Sequence, residues 1–324
     1  MPSLLSEADV RTVLGMPELI DAMQAALIAF SGGAARQPLR TVLEVGEHRS
    51  FFGVMPAYLP GTGALGTKLV TVFETNTARG LPTHLATILL LDATTGALKA
   101  IVDGRYITEA RTAAVSAVSA RLLARPDAGV LALIGSGVQA RSHLEALSHV
   151  RTLRDVRVWS PNEDRRRAFV DTASKTVSCR IRAAASAREA VEGADLVALV
   201  SAARTPVVLG EWTAPGAHVC AVGACRPDQR EMDSALVHAA RLFVDSRLAA
   251  LAESGDVLIP MAEGAFGPEH VAGELGELAA GAVPGRESPD QVTIFKSLGL
   301  AVEDVTAAHL AYERAQAAGL GREI

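Results

Sequence analysis

Apolar and polar positions divide the chain into stretches with different periods. Near the start, Ser6 with Asp9 has the form of a capping pair opening a short helix. Pro17, at a first-turn position, then begins a longer amphipathic helix that ends near Gly32-Gly33. Between residues 39 and 103 the pattern changes to that of strands: TVLEV, SFFGVM, TKLVTVF, HLATILLL and LKAIV. Turn chemistry at Pro60-Gly61, at Arg79-Gly80-Leu81-Pro82 and over 92–96 separates them. This predicts an antiparallel or mixed sheet of about five strands. A helix of small residues over 107–123 follows, and Arg125-Pro126-Asp127 breaks it.

From Gly129 onward strands and helices alternate. VLALI, DVRVW, ADLVALV, HVCAV and RLFVD read as strands, with 165–173 and 187–192 as crossover helices. Such alternation predicts a doubly wound parallel sheet. A glycine- and proline-bearing region, 260–289, precedes TIFKSLG and a last helix over about 302–318. That helix is expected to return to the first domain, because a Rossmann unit is complete by then. The predicted class is α/β, with a Rossmann domain over 116–302 and a smaller α+β domain made of 1–115 with 303–324. There is no internal repeat and no low-complexity segment.

One segment, LALIGSGVQ over 131–139, bears directly on function. An apolar run ends in Gly135-Ser136-Gly137, and Ala140 stands where a dinucleotide fingerprint tolerates alanine for its third glycine. Gly135 allows the tight turn, Gly137 lets the backbone approach a pyrophosphate, and Ala140 permits close helix packing. The helix beginning near Val138 and Gln139 then aims its N-terminal amides at the phosphates. Alone the pattern is weak. Its place between a buried strand and a helix makes it a nucleotide site.

Composition narrows the field further. The 324 residues are 49% hydrophobic and only 4% aromatic, which suits about two α/β domains with ample core. The net charge of −5 is spread along the chain, and no basic tract points to nucleic acid. Cys179, Cys220 and Cys225 lack Cys-x-x-Cys spacing, so neither a disulfide framework nor a metal site is expected. The N-terminus meets charged residues too early for a signal peptide, and no apolar run is long enough for a bilayer. A cytoplasmic protein with no membrane or nucleic-acid partner is the expectation.

The strand DVRVW bears on cofactor choice. It runs into Ser160-Pro161-Asn162, where an NAD-type fold places an acidic residue for the ribose hydroxyls. With Ser160 there, the repulsion that excludes a 2′-phosphate is missing. Ser160 and Asn162 can donate hydrogen bonds, and Arg165 or Arg166 can supply charge. NADPH is favoured over NADH on these grounds, although the arginines also read as a solvated helix face.

Three cations stand in apolar surroundings of the first domain: Arg40 opening a strand, Lys68 inside GTKLVTVF, and Arg111 in EARTAAVSA. A strand lysine is usually exposed with its stem along apolar surface. A guanidinium on a helix of Ala, Val and Ser needs an anionic partner. Together they suit a substrate carboxylate, the arginines as forks and the lysine as a point charge able to release a proton.

With these residues the chain resembles the ornithine cyclodeaminase and mu-crystallin family, from about residue 35 to 308. The matching stretches are QPLRTVLEV, GVMPAY, TKLVTVFE, GLPTHLATILLLD, ARTAAVSA, LIGSGVQA, GEWTAPGAHVCAVGACRPDQREMD, ESGDV and FKSLGLAVED. The resemblance implies a homodimer whose first domain, with the C-terminal helix, holds substrate and the dimer contact. It implies that the Rossmann domain holds the nicotinamide cofactor. It also implies that Arg40, Lys68 and Arg111 hold the substrate carboxylate, with Lys68 and Arg111 serving the chemistry and Met55 and Cys225 on the substrate side. Cofactor positions so implied are Thr83, Arg111, Gly135, Ser136, Gly137, Val138, Gln139, Ser201, Val222, Gly223 and Ser297.

Two departures separate the family's branches. Cyclodeaminases resemble G-G-D-C-P where this chain has Gly223-Ala224-Cys225-Arg226-Pro227, so Cys225 replaces the aspartate that acts on the substrate's side-chain amine. They also carry a glutamate where Gly53 stands in Gly53-Val54-Met55-Pro56. GACRPDQREMD and the Ser160 turn look more like mu-crystallin, which has ketimine reductase activity. The expected function is NAD(P)H-dependent reduction of a small α-imino acid, a cyclic ketimine carboxylate or the imine of a 2-oxo acid. Alternatives are an amino-acid dehydrogenase, a cyclodeaminase-type enzyme, or a mu-crystallin-like NADPH-dependent binding protein. Three residues keep two readings each. Cys225 is a thiol nucleophile or, as expected, a small pocket-lining group. His84 is a core-facing strand residue, the expected role, or a proton donor. Asp304 orients Lys68 or, as expected, caps the last helix. Side-chain specificity is assigned to the loops 45–51 and 260–269.

Overall fold

The computed structural model describes residues 1–46 and 50–324, which fall into two compact units: Met1–Arg111 with Gly299–Ile324, and Thr112–Leu298. In the first unit, β1 (Ser3–Leu5), β2 (Thr41–Val45), β3 (Ser50–Leu59), β4 (Ala64–Val72), β5 (His84–Leu91), β6 (Leu98–Asp103) and β15 (Arg322–Glu323) form one sheet. Its order is β15-β1-β6-β5-β4-β3-β2. The five anticipated strands are all present. The two added ones, at the chain ends, are too short to show an alternating pattern. Because β1 runs parallel to β6 while every other neighbouring pair is antiparallel, the sheet is mixed.

Helices α1 (Glu7–Val13) and α2 (Met16–Ser31) carry the expected starts: a reciprocal Ser6–Asp9 capping box and a proline in the first turn. Along α2 the residues Met16, Leu19, Ile20, Met23 and Leu27 are buried, at the spacing of one helical face. Helix α11 (Ala301–Ala317) packs on α2, β3 and β4, and its run of buried alanines permits the close approach. No single helix among the described residues is long and apolar enough to cross a membrane. The bent pair α1 and α2 passes such a test together, but with a 91° angle between them.

Helix α3 (Arg105–Leu123) carries the chain into the second unit. There β7 (Val130–Ile134), β8 (Asp155–Trp159), β9 (Arg180–Ala183), β10 (Leu196–Leu199), β11 (His218–Ala221), β12 (Arg241–Val244), β13 (Val271–Glu274) and β14 (Thr293–Lys296) form an all-parallel sheet. The order is β13-β12-β14-β11-β10-β7-β8-β9. Strands β9 and β13, RIRA and VAGE, escaped the hydrophobic pattern because neither is an apolar run. Helices cover both faces. The end of α3 with α4 (Val138–Ser148) and α5 (Glu163–Ala173) packs over Leu131, Leu133, Val156 and Val158. On the other face lie α6 (Ala187–Val191), α7 (Ser234–Ala239), α8 (Arg247–Glu253) and α9 (Gly255–Ala262). The region 260–289 is more regular than its prolines suggested, holding β13 and α10 (Leu275–Ala279), with Pro260 inside α9. From β7 the chain winds first through β8 and β9, then returns to β10 on the other side. Ligands of doubly wound sheets bind at the carboxyl ends of the strands at such a reversal.

A buried polar chain crosses this unit. Arg286 Nη2 donates to Thr293 Oγ1 (3.1 Å), which donates to His218 Nδ1 (2.9 Å). His218 Nε2 donates to Ser119 Oγ (3.0 Å), whose own proton goes to the Ser116 carbonyl (2.8 Å). His143 is held likewise between Ser116 Oγ and the Gln139 carbonyl. Both histidines are fully buried. Burial lowers their pKa values to about 4 for His143 and, with Arg286 and Arg151 nearby, about 3 for His218. The unfolded chain therefore binds more protons from about pH 6.5 downward, so stability falls as pH falls through that value. Acidifying from pH 7 to pH 5 should cost roughly 2 kcal/mol per histidine. Melting curves at the two pH values should show a smaller acid loss in His143→Gln or His218→Gln than in the unsubstituted protein. An unchanged loss in both variants would refute the neutral assignment.

Candidate active site

In the first unit, four charged side chains meet inside the protein. Lys68 on β4 is 2% exposed, and its Nζ lies 2.6 Å from Asp304 Oδ2. Arg111 on α3, 5% exposed, places Nε 2.8 Å from Asp304 Oδ1 and Nη1 2.6 Å from Glu303 Oε2. Its Nη2 takes part in neither ion pair. Glu303 and Asp304 occupy the first turn of α11, where the helix dipole favours anions. Two cations thus face two carboxylates.

Asp304 therefore orients Lys68 and Arg111, and the expectation that it caps α11 is wrong. The N-cap residue is Leu300, with no side-chain cap bond; Gln37 Oε1 accepts instead from Val302 N at 2.8 Å. Sequence spacing could not reveal the pairing, because 236 positions (304 − 68) separate the partners. Glu303 was missed for the same reason. Gly299 lets the chain pass closely here: its φ is +82°, and a Cβ would lie 2.5 Å from Arg111 Nη1.

Burial is the largest influence on Lys68 and pushes its pKa down. Asp304 opposes this, and the like charges of Arg111 and Arg40 reinforce it, leaving a value of about 8. For Arg111 burial also acts downward, but Asp304 and Glu303 outweigh it and raise the pKa, so the guanidinium stays charged. Unlike the usual snorkelling strand lysine, Lys68 is an ammonium inside the protein, able to hold or release a proton near neutral pH. Arg40 is half-buried just before β2.

Met55 is the cross-strand partner of Lys68 and is buried. Gly53 pairs with Val70, and a Cβ at Gly53 would sit 3.0 Å from Val70 Cγ1. The space a glutamate would enter is thus lined by Val70. His84 is exposed, with Nδ1 3.1 Å from Thr83 Oγ1, so it is not the core-facing residue expected. Thr83 is half-buried beside it. Of the loop 45–51 assigned to specificity, residues 47–49 lie outside the described residues.

In the second unit, the loop after β7 has the geometry of a dinucleotide cradle. Gly135 has φ 137°, and a Cβ there would meet the Val200 carbonyl oxygen at 2.7 Å. Gly137 is the N-cap of α4, and a Cβ on it would meet nothing within 4 Å, so the backbone is open on that side. Ala140 is fully buried. Val138 and Gln139 form the first turn of α4, whose amides can hold a pyrophosphate. These residues fit a nicotinamide dinucleotide.

Ser136 Oγ lies 2.9 Å from Ser160 Oγ, tying the loop to the turn after β8. Asn162 caps α5 by accepting from Arg165 N at 2.9 Å. Arg166 Nη1 donates to the Ser160 carbonyl (3.0 Å), so Arg166 is the guanidinium brought to this turn, while Arg165 is exposed. Arg167 pairs with Glu163 on the helix surface, as the solvated-face reading had it.

Ser201, Val222, Gly223 and Ser297 all follow the carboxyl ends of parallel strands, β10, β11 and β14. Ser201 donates through N (2.8 Å) and Oγ (2.7 Å) to Glu231 Oε1, and Gly223 N donates to Glu231 Oε2 (2.7 Å). Ser297 Oγ lies 3.4 Å from Asp245 Oδ2. Cys225 is half-buried, its Sγ 3.2 Å from the Val222 carbonyl. Glu231, Asp256, Asp245 and Lys296 went unnoticed in the sequence. The one available signal was a lysine inside the otherwise apolar strand TIFKSLG.

Comparison with known proteins places the whole chain in one family. The model of the ornithine cyclodeaminase/mu-crystallin family matches residues 2–319. Ketimine reductase mu-crystallin of Mus musculus is 45% identical over 316 residues, covering 96% of this chain and 97% of its own. The structure of Thermococcus litoralis Δ1-pyrroline-2-carboxylate reductase, in complex with NADH and L-proline, matches with a TM-score of 0.97 and 42% identity. It covers 99% of this chain and 100% of its own. An archaeal alanine dehydrogenase dimer with bound NAD matches with a TM-score of 0.94 and 32% identity, over 100% of this chain and 98% of its own. This chain belongs to the ornithine cyclodeaminase/mu-crystallin family.

Proposed function

We propose that the protein is an NAD(P)H-dependent imine reductase that converts a small α-imino acid, above all a cyclic ketimine carboxylate, into the amino acid. The observation that carries this reading is the buried Lys68 ammonium, held beside Arg111 by the carboxylates of α11. When bound, the nicotinamide cofactor supplies a hydride. The chain's own part is to bind, orient and handle one proton. Arg40 and Arg111 offer charge and donors to the substrate carboxylate, Arg111 with its Nη2 edge. Lys68 Nζ, with a pKa of about 8, can give a hydrogen bond or a proton to the imine nitrogen, which makes the adjacent carbon electrophilic. Asp304 fixes both cations, so positioning is built in before substrate arrives. Ring closure of ornithine needs a carboxylate to activate the side-chain amine. Gly53 and Cys225 stand at the two positions where the cyclodeaminases carry one.

The test is reduction of pyrroline- or piperideine-2-carboxylate with NADPH, run beside ornithine as substrate. Turnover of the ketimine without proline from ornithine is expected. Binding of NADPH with no turnover of any imine would favour a binding protein instead, and proline from ornithine at a comparable rate would refute the assignment. Lys68→Met should lower kcat about 100-fold or more, because general acid–base groups contribute on that order, with a smaller change in KM. Near-unchanged kcat would remove Lys68 from the chemistry.

NADPH is the preferred cofactor in this reading, supported by Ser160 at the turn and the Arg166 guanidinium beside it. Ser160→Asp should shift preference toward NADH by roughly 1–3 kcal/mol, through like-charge repulsion and a lost donor. Ratios of kcat/KM for the two cofactors measure it. A tenfold preference for NADH in the unsubstituted protein would overturn this choice.

The family resemblance and the half-exposed outer sheet face of the first unit support a homodimer. Its residues Val54, Leu69, Leu89 and Ile101 point away from α11. Sedimentation should show a dimer, and Leu69→Asp should yield monomer. A dimer unchanged by that charge would place the contact elsewhere.

A further inference from the structure

A second buried ionic cluster lies wholly within the Rossmann unit. Glu231, Asp256 and Lys296 are each fully buried. Lys296 Nζ lies 3.0 Å from Asp256 Oδ2, and Asp256 Oδ1 accepts from the backbone N of Glu231 (2.8 Å) and Met232 (3.2 Å). Glu231 accepts four donors: Ser201 N and Oγ on Oε1, and Gly223 N (2.7 Å) and Ala224 N (3.2 Å) on Oε2. One carboxylate thereby joins the segment after β10 to the segment after β11. The joint leaves no slack. A Cβ on Gly223 would lie 1.9 Å from the Ser201 carbonyl oxygen and 2.6 Å from Glu231 Oε1. A Cβ on Gly255 would lie 2.0 Å from the Gln229 carbonyl oxygen. With two buried carboxylates and one ammonium, the cluster also carries a net negative charge when Glu231 is ionised. Such a cluster is costly to bury, and well-packed apolar residues are often no less stable.

We propose that Glu231, backed by Asp256 and Lys296, is a positioning residue that fixes Ser201 and the Gly223–Ala224 backbone to receive the nicotinamide half of the cofactor. The inference rests on the reading of the protein as a nicotinamide enzyme. Its physical core is donor counting. All four groups on Glu231 donate, which suits an ionised carboxylate. A proton on either oxygen would face only donors, and among them just the Ser201 hydroxyl can turn round and accept. Protonation of Glu231 therefore reverses Ser201 Oγ and breaks the arrangement. Burial raises the Glu231 pKa, Asp256 raises it further, and Lys296 opposes, leaving a value of about 7. The charged and titratable groups facing the cluster are Asp256 on α9, Lys296 on β14 and, against Lys296, the Cys225 thiol. If the cofactor takes the ionised form, affinity is full above pH 7 and falls as pH drops below it, by up to about tenfold between pH 8 and pH 6.

Calorimetric titration with NADPH and with 2′,5′-ADP tests this, because the fragment lacks the nicotinamide half. In the unsubstituted protein the NADPH affinity, taken relative to 2′,5′-ADP, should weaken several-fold from pH 8 to pH 6. In Glu231→Gln the amide nitrogen opposes at least one backbone donor whichever way it is turned: Ser201 N on one side, Gly223 N and Ala224 N on the other. That variant should bind NADPH about tenfold more weakly at pH 8, lose the relative pH step, and bind 2′,5′-ADP unchanged. Ser201→Ala keeps the carboxylate and its backbone donors but removes the hydroxyl that reverses. It should lose the pH step too, and it carries the test if Glu231→Gln fails to fold. A foldable Glu231→Gln or Ser201→Ala that keeps the unsubstituted ratio at every pH overturns the proposal. Absence of binding by NADPH, NADH and 2′,5′-ADP alike to the unsubstituted protein would instead overturn the nicotinamide reading itself, and this inference with it.

Discussion

The first turn of α11 imposes the tightest constraint on the first unit. Glu303 and Asp304 are wholly buried, and the cations they face, Lys68 and Arg111, come from a strand and a helix far away in sequence. Removing one partner of such a buried pair leaves an uncompensated charge, a loss of about 3–5 kcal/mol. The mixed sheet, the end of α3 nearest the N-terminus and the closing helix are therefore held to one another by charge balance as well as by packing. The same balance prepares the site. Asp304 holds the ammonium of Lys68 in place while burial and the neighbouring arginines keep its proton exchangeable.

The Rossmann unit follows a parallel logic with different means. Its core is apolar on both faces of the sheet, and polarity enters at the strand ends. Gly135 meets the Val200 carbonyl too closely for any side chain, and Gly137 leaves its outer side open. Together they set a helix N-terminus where phosphates can approach backbone amides. Glu231 then links the segments after β10 and β11, so the loops at the strand ends are tied to one another as well as to the sheet. The buried histidines lie elsewhere in the unit, in a polar chain of hydroxyls and carbonyls, and burial holds both rings neutral.

Hydrophobic period and turn chemistry were enough to determine the five central strands of the first sheet, the alternating second half and the nucleotide loop. Those signals are local: an apolar run, a glycine pair and a helix start lie within a dozen residues, and each has its own physical cause. Lys68 and Arg111 could be singled out because a charge in an apolar run requires a partner. What the sequence alone could not supply was the partner's identity. Only tertiary structure decided that Asp304 serves both cations, that Glu303 joins it, that the Arg166 guanidinium bonds the Ser160 carbonyl, and that Glu231 anchors Ser201. Edge strands such as RIRA and VAGE were likewise settled only by pairing, since neither is an apolar run and four residues are too few to mark a strand. Apart from the Arg166–Ser160 contact, which is local but depends on how α5 leaves its turn, each deciding contact joins residues distant along the chain, and a linear pattern holds no record of which side chains the fold brings within 3 Å.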